Sequence, residues 1–341
     1  MSTLRYLICR PRGGLNDTLC QIEKCWQYAE QFNRVLIIDT YESGLMANFF
    51  DFFVVKKSSV PVRGNFTDEE LKKVNQLSCL PEFFQGELFN RGIYFLNPQK
   101  NYVDNLTQQS ATFDFNVDHT QEILVHEQSG GGTLSFECLG RLSFSKEISE
   151  SIQQALAQLP KHYQAIHVRN TDYQTDYNYL FKKIKKRVSK NNLLVCSDDK
   201  KVIDQAKNTF LLTNVFSITT LVKTSKNQPL HLRQYYTNQS ECETATKNAL
   251  IDLIGLGLAD ILFMMNGNHG HPSGFSVLAA YLCKHKKIIR QLLDNHSLLE
   301  NKTLSGRVVS LVSAERQINR FVPKFLRGIL SPLLKRNSSH H

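Results

Sequence analysis

Short hydrophobic runs broken by polar turns, each followed by an apolar stripe at helical spacing, recur along most of the chain. Leu4–Cys9 reads as a strand and runs into the loop Arg10-Pro11-Arg12-Gly13-Gly14-Leu15-Asn16-Asp17. A helix from about Thr18 to Phe32 and a second strand, Val35–Ile38, ending at Asp39, complete a β-loop-α-β unit. From Leu45 to about Val125 the pattern is less regular. Phe49, Phe50, Phe52 and Phe53 form an aromatic cluster that belongs to a core or a seam between domains, and Asp68–Leu77 reads as a helix. Three consecutive glycines in Gln128–Thr133 mark a linker.

Alternation resumes beyond that point. Tyr163–Arg169 reads as a strand that breaks into ionisable residues at its carboxyl end, and a lysine-rich helix follows near Tyr177–Lys190, its charges reading as a solvated face. Asn192–Cys196 is a strand ending in Ser197-Asp198-Asp199, where Ser197 or Asp198 can cap a helix to about Asn208. Leu211–Phe216, Glu243–Leu258, Ile261–Met265 and Gly274–Leu282 continue the order strand, helix, strand, helix. Repeated alternation on both sides of a glycine linker predicts an α/β fold of two Rossmann-like, doubly wound domains facing a cleft. The expected divisions are residues 1–135, 136–300 and a tail, 301–341. In that tail Ile318, Phe321, Val322, Phe325, Leu326, Ile329, Leu330 and Leu333 make one apolar stripe opposite Arg316, Arg320, Lys324, Arg327, Lys335 and Arg336, with Pro323 and Pro332 dividing it. It either packs on the body or lies on an anionic membrane through residues 316–336.

Charge narrows the partners. The net charge of +10 asks for something anionic: nucleic acid, membrane or a phosphorylated substrate. No aromatic-basic RNA-binding signature or zinc module appears, so nucleic acid rests on charge alone. The eight cysteines are scattered without a C-x-x-C pair, which disfavours a metal site and fits a reducing, cytoplasmic compartment. No apolar run reaches the roughly 20 residues of a membrane span.

Three loops then compete for one cleft: Arg10–Asp17, His167–Asp172 and Asn266–Ser276. Paired glycines at Gly13 and Gly14 permit a close approach of backbone to ligand. Ser273-Gly274-Phe275-Ser276 opens a helix, where free N–H groups and hydroxyls suit phosphate, although a plain serine cap looks the same. Arg169 offers a bidentate cation for a diphosphate, with Asp172 orienting it. No Asp-x-Asp pair suited to magnesium is present, Asp198 and Asp199 being adjacent, and no metal or cofactor is expected. For a base that deprotonates a hydroxyl, Asp17 comes first, then Asp172, His269 and His271; the competing role for Asp17 is a helix N-cap.

Gly13-Gly14-Leu15-Asn16-Asp17 resembles the glycine-rich opening of the α1,2-, α1,6- and protein O-fucosyltransferase superfamily. His167-Val-Arg169-Asn-Thr-Asp172-Tyr173 is similar to its H-x-R-x-x-D-Y motif, and Leu194–Asp199 to its strand followed by Ser-Asp-Asp. Asp252-Leu253, Ala259-Asp260, Ser273-Gly274-Phe275-Ser276 and Ala279-Ala280 resemble its closing segments. The resemblance implies a GT-B fold and metal-independent, inverting transfer of fucose from GDP-fucose. It implies that Arg169 meets the diphosphate, that Ser273, Phe275 and Ser276 hold phosphate, and that His167 and Asp198 lie near the nucleoside. The expected acceptor is a hydroxyl of a surface glycan, lipid-linked where the basic tail docks the chain at the inner face of a membrane. Two departures, Asp17 in place of the usual glutamine and Asn266–Pro272 in place of a serine- or cysteine-containing run, leave another nucleotide sugar as the alternative donor.

Overall fold

The computed structural model describes residues 4–172, 175–188, 190–222, 228–267, 271–294 and 305–311. The first half runs β1 (Tyr6–Pro11), α1 (Leu15–Gln31), β2 (Val35–Ile38), α2 (Phe49–Phe52), β3 (Phe53–Val55), β4 (Val62–Arg63), α3 (Asp68–Val74), β5 (Cys79–Leu80), β6 (Tyr94–Leu96), β7 (Tyr102–Asp104) and β8 (Ile123–Gln128). Then follow α4 (Leu134–Gly140), β9 (Leu142–Phe144) and α5 (Lys146–Leu156). The second half runs β10 (Gln164–Val168), α6 (Tyr177–Val188), β11 (Asn192–Ser197), α7 (Lys200–Thr209), β12 (Asn214–Phe216) and α8 (Gln239–Leu258). It closes with β13 (Ile261–Met265), α9 (Gly274–Lys284), α10 (Lys286–Leu293) and β14 (Arg307–Leu311).

Two five-stranded sheets result, ordered β4-β2-β1-β8-β5 and β12-β11-β10-β13-β14, and every pairing within them is parallel. In each, the first strand sits at the centre and the chain leaves it on one side and returns on the other. The switch points therefore fall beside β1 and beside β10, and ligands of open α/β sheets bind outside the carboxyl ends of strands at such points. Here those ends carry Gly13-Gly14 and His167–Asp172. The two doubly wound sheets expected from the alternation, the arrangement that the resemblance names GT-B, are what the chain adopts.

Several local expectations change. β8 supplies the central partner of β1, with Tyr6 opposite Ile123 and Pro11 opposite Gln128, in a stretch the sequence pattern did not resolve. Arg307–Leu311, grouped with the helical tail from sequence, is a sheet strand paired along β13. Leu211 and Leu212, expected to begin a strand, form an exposed turn, and β12 starts only at Asn214. Asp199 rather than Ser197 or Asp198 caps α7, accepting from Lys201 N–H at 2.9 Å. The glycine run after Gln128 is not a bare spacer: Gly130 and Gly131 lie against Gln21, Asn16 and Asp17 of α1. The stripe and basic face of 316–336, with Tyr173 and His269, fall outside the described residues. Among the described residues, no helix is long and apolar enough to cross a membrane.

The two sheets are fastened together. One apolar cluster runs from Leu7, Cys9 and Leu36 through α1 and α4 to α8 and α9, and Phe49, Phe52 and Phe53 are buried in it. The rings of Phe136 and Tyr281 stack across the seam at 3.9 Å. On the other flank the Thr246 hydroxyl donates to the Leu45 carbonyl at 2.7 Å, and Arg233 donates to the Met46 carbonyl at 3.2 Å while lying 3.7 Å over the Tyr41 ring. Helix α8 is buried nearly all round over Leu250–Leu258 because it packs on β10 and β11 and against α5, α9 and α10. All eight cysteines are buried and unpaired.

Candidate active site

A pocket opens where the two switch points face each other, with about 990 Å³ of space including the part open to solvent. Gly14, Asn16 and Asp17 come to it from the first sheet; His167, Arg169, Asp198, Gly274 and Phe275 come from the second. Three loops far apart in sequence thus wall one cavity.

Arg169 dominates its electrostatics. Its Nε and Nη2 donate to the two oxygens of Asp172 at 2.9 and 2.6 Å, the forked geometry that fixes a guanidinium plane. Burial pushes the Asp172 carboxyl up, but hydrogen bonds and charge from Arg169 outweigh it and hold the group below its ordinary value. An ionised carboxylate with both oxygens so engaged orients Arg169 and is a poor proton acceptor. Asp198 holds the same turn from below. Its oxygens accept from Asn170 N–H at 2.7 Å and from the Thr171 hydroxyl at 2.6 Å. Burial pushes the Asp198 carboxyl up, and these bonds oppose the rise.

The end of α9 lines the same pocket. Ser273 caps it, its hydroxyl accepting from Ser276 N–H at 3.2 Å. The Ser276 hydroxyl in turn lies 2.7 Å from His167 Nδ1 and 3.0 Å from the Ser273 hydroxyl. Both serine hydroxyls thereby hold the helix end and His167. The first-turn N–H groups of Gly274 and Phe275 have no intrahelical acceptor. Burial, aided by the Arg169 charge, drives His167 down to about 3, so it is neutral, with its ring 4.9 Å from that of Phe275.

Asp17 occupies the first turn of α1, where Gly14 is the cap residue and no side chain caps; the competing N-cap role is not the one it plays. Gly13 has φ +91, and a Cβ there would lie 2.9 Å from that of Asp17, so the loop folds back over the carboxyl only with glycine. Burial raises the Asp17 carboxyl above its ordinary value, against its own N–H, the Arg169 charge, and the N–H groups of Gly14 and Gly130. Asn16 is a bridge. It accepts from the Ser135 hydroxyl at 2.7 Å, donates to the Gly132 carbonyl at 3.4 Å, and leaves so little room that a Cβ on Gly274 would come within 2.9 Å of its own.

Behind Asp17 runs a hydrogen-bond chain of defined direction. The Gln21 amide nitrogen donates to the Gly130 carbonyl, so its oxygen accepts, at 2.8 Å, from His126 Nε2. His126 Nδ1 is then left to accept from the Thr112 hydroxyl at 2.6 Å. Burial pushes His126 down to about 3, and a neutral ring is what this chain requires.

Arg10 and Arg12, which flank the glycines in sequence, turn away from the pocket. Arg10 is buried near Asp39 and Glu127 at 3.4 and 3.7 Å, and Arg12 pairs with Glu127 at 2.5 Å and Glu42 at 3.3 Å. His271 is exposed and lies outside the pocket lining. Among the described residues, no group of three His, Cys, Asp or Glu side chains is gathered for a metal ion.

Sequence reading gave no chemical role to Asp252, Thr219 or His231. Asp252 lines the pocket from α8, accepts from the Thr219 hydroxyl at 2.9 Å, and is pushed up to about 7 by burial. His231, near Arg169 and Asp172, is driven down to about 4 by burial and the Arg169 charge. An acid inside the apolar run of a helix was the available signal for Asp252; nothing in the local sequence marks His231.

Neither a family model nor a curated protein sequence matches the chain. Solved structures do match it. The fucosyltransferase NodZ from Bradyrhizobium aligns over 82% of this chain and 94% of its own, at 20% identity and a TM-score of 0.55. A structure of NodZ, an α-1,6-fucosyltransferase, soaked with GDP-fucose aligns over 82% and 92%, at 19% identity and 0.54. POFUT1 in complex with GDP aligns over 92% and 99%, at 13% identity and 0.51. The likeness spans both sheets and is one of fold.

Proposed function

We propose that this chain is a glycosyltransferase that moves fucose from GDP-fucose to a hydroxyl of a glycan acceptor, with inversion and without a metal ion. The observation that carries the reading is the facing pair in one pocket: Arg169, held in a carboxylate fork beside the α9 N-terminus, and Asp17, a carboxyl raised by burial on the opposite wall. A diphosphate leaving group needs its developing charge neutralised. Arg169 and the Gly274 and Phe275 N–H groups supply that, with His167 and Ser276 buttressing the helix end. An acceptor hydroxyl needs a base. Asp17 takes its proton as the acceptor oxygen attacks the anomeric carbon, the bond from that carbon to the diphosphate breaks, and the electron pair leaves with the nucleotide.

Guanine is the base this pocket suits. A carboxylate accepts two parallel N–H groups, and the guanine edge presents an adjacent pair of donors, which Asp252 meets from α8. GDP-fucose as the donor is further supported by the fold shared with NodZ soaked with GDP-fucose and with POFUT1 bound to GDP. Asp198 lines the same pocket; with one hydrogen bond on each oxygen it holds the Arg169 turn and keeps acceptor capacity for the nucleoside.

Thermal unfolding with a panel of nucleoside diphosphates tests donor class. GDP raises the melting temperature, UDP and ADP raise it less, and Arg169→Ala abolishes the GDP effect. Equal shifts from all three diphosphates would remove guanine from the reading, and no shift with any would remove the nucleotide sugar altogether. Donor turnover unchanged by EDTA checks the metal-independent route.

A further inference from the structure

The turn joining α7 to β12 departs from ordinary turn chemistry. Thr213 N–H donates to the Phe210 carbonyl at 2.9 Å, making Leu211 and Leu212 the central residues of a β-turn, where Pro, Asp, Asn, Ser and Gly are favoured. Leu211 is 82% and Leu212 73% exposed, and among the described large hydrophobics only Leu106 exceeds them, at 90%. Phe210, just before them, is buried with its ring 5.1 Å from that of Phe181, so the backbone that carries the leucines is anchored.

That turn is tied to the basic end of α6. Lys190 N–H donates to the Leu212 carbonyl at 3.0 Å, the Thr213 hydroxyl to the Val188 carbonyl at 3.0 Å, and Asn214 N–H to the Asn191 carbonyl at 3.1 Å. Helix α6 buries Leu180, Phe181, Ile184 and Val188 and exposes Lys182, Lys185, Lys186 and Arg187, with Lys190 and Lys207 exposed beside them. Residues 177–214 hold nine Lys and Arg against three Asp and no Glu. None of these six basic side chains forms an ion pair with a described residue. A solvated helix face accounts for lysines; it does not account for two leucines at the tip of a turn among them.

We propose that this corner of the molecule docks on an anionic lipid bilayer. Leu211 and Leu212 enter the interfacial layer while the α6 side chains and Lys207 meet headgroup phosphates, the combination of apolar insertion and basic skirt that holds peripheral proteins on charged membranes. Nucleic acid fits less well, because it would use the charge and leave both leucines in water, and single strands are held by stacking on aromatics. The surface is distinct from the basic tail beyond residue 311 and does not rest on the donor reading. Strand β11 starts beside the turn and ends at the pocket, so six residues of strand hold the pocket about 20 Å from the docking corner. The reacting hydroxyl then belongs to a glycan extended from the membrane surface, not to a headgroup.

Co-sedimentation of the full chain with phosphatidylcholine vesicles, with and without phosphatidylglycerol, tests this. Binding requires the anionic lipid, and Leu211→Ser/Leu212→Ser weakens it about tenfold or more, as does Lys185→Glu/Lys186→Glu. Because both leucines are exposed, the double serine variant keeps the wild-type melting temperature. A direct report comes from Leu212→Trp, since the protein's single tryptophan, Trp26, is fully buried: its added emission shifts to the blue with anionic vesicles. Vesicle binding unchanged in the serine variant, or no shift from the tryptophan, overturns the proposal. So does salt-sensitive retention on RNA that exceeds vesicle binding and ignores the leucines.

Discussion

Replacing Asp252 with asparagine isolates a carboxyl that folding holds neutral. The amide keeps an oxygen for the Thr219 hydroxyl, which donates at 2.9 Å in the native protein, and removes only the ionisation. Burial moves the carboxyl from 3.8 to about 7. A folded pKa above the unfolded one means the unfolded chain ionises first, so this group costs the fold nothing below pH 3.8. Its cost grows as pH rises towards 7 and is complete above that. At about 1.4 kcal/mol per pH unit, the cost is about 4 kcal/mol at pH 8 and about 2 kcal/mol at pH 5. Asp252→Asn escapes both. Its melting temperature relative to wild type should therefore be higher at pH 8 than at pH 5, the gap widening by roughly 3 °C for a chain of this size. Scanning calorimetry without nucleotide at the two pH values measures it. The same site links pH to ligand: guanine donors need the carboxylate, so GDP affinity in the wild type falls about tenfold per pH unit below 7, and the variant binds weakly with no such slope. A melting-temperature difference that is the same at pH 5 and pH 8 refutes the buried-acid reasoning, whatever happens to GDP.

Asp17→Asn should lower kcat by about a hundredfold or more, the usual worth of a positioned base, with GDP affinity within about twofold of wild type; a matching loss in both would assign Asp17 to donor binding instead. Gln21→Leu strands the His126 Nε2–H and the Gly130 carbonyl, so urea unfolding should show a loss of about 1–3 kcal/mol, and the pH dependence of turnover should shift because Gly130 no longer holds its N–H on Asp17. Gly274→Ala puts a methyl group 2.9 Å from the Asn16 Cβ and should cost about 1–3 kcal/mol by overpacking, with weaker GDP binding in the same thermal assay.

What could be read in the chain was whatever its neighbours in sequence decide. The alternation gave both sheets, and Arg169 with Asp172 was legible because partners three residues apart on one turn need no tertiary fold to meet. Strand β8 was not, since its apolar run stops at Val125 and His126, Glu127 and Gln128 look like surface. They are buried because Thr112, Gln21, Arg12 and Tyr102 arrive from elsewhere to satisfy them. Arg10 and Arg12 misled for the same reason. Beside two glycines they resemble ligands for an anion, and the Glu127 that claims Arg12 lies 115 residues away. Leu211 and Leu212 looked like the opening of a strand because composition alone cannot tell a buried run from an exposed tip. Ser273 does cap its own helix, and capping and phosphate binding share one helix end, so sequence could not part them.

The seam between the sheets bears on how ligands come and go. Separating the lobes would unstack Phe136 from Tyr281 on one flank and break the Thr246 and Arg233 bonds to the Leu45 and Met46 carbonyls on the other. These contacts predict a molecule that does not swing open like a jaw. Its radius of gyration should stay the same with and without GDP, and no closed form has to be drawn from a minority population before binding. On the proposed function, traffic passes through the mouth of a standing notch, and the expected kinetic pattern is ordered: nucleotide sugar binds before the acceptor, and the nucleotide leaves after the product.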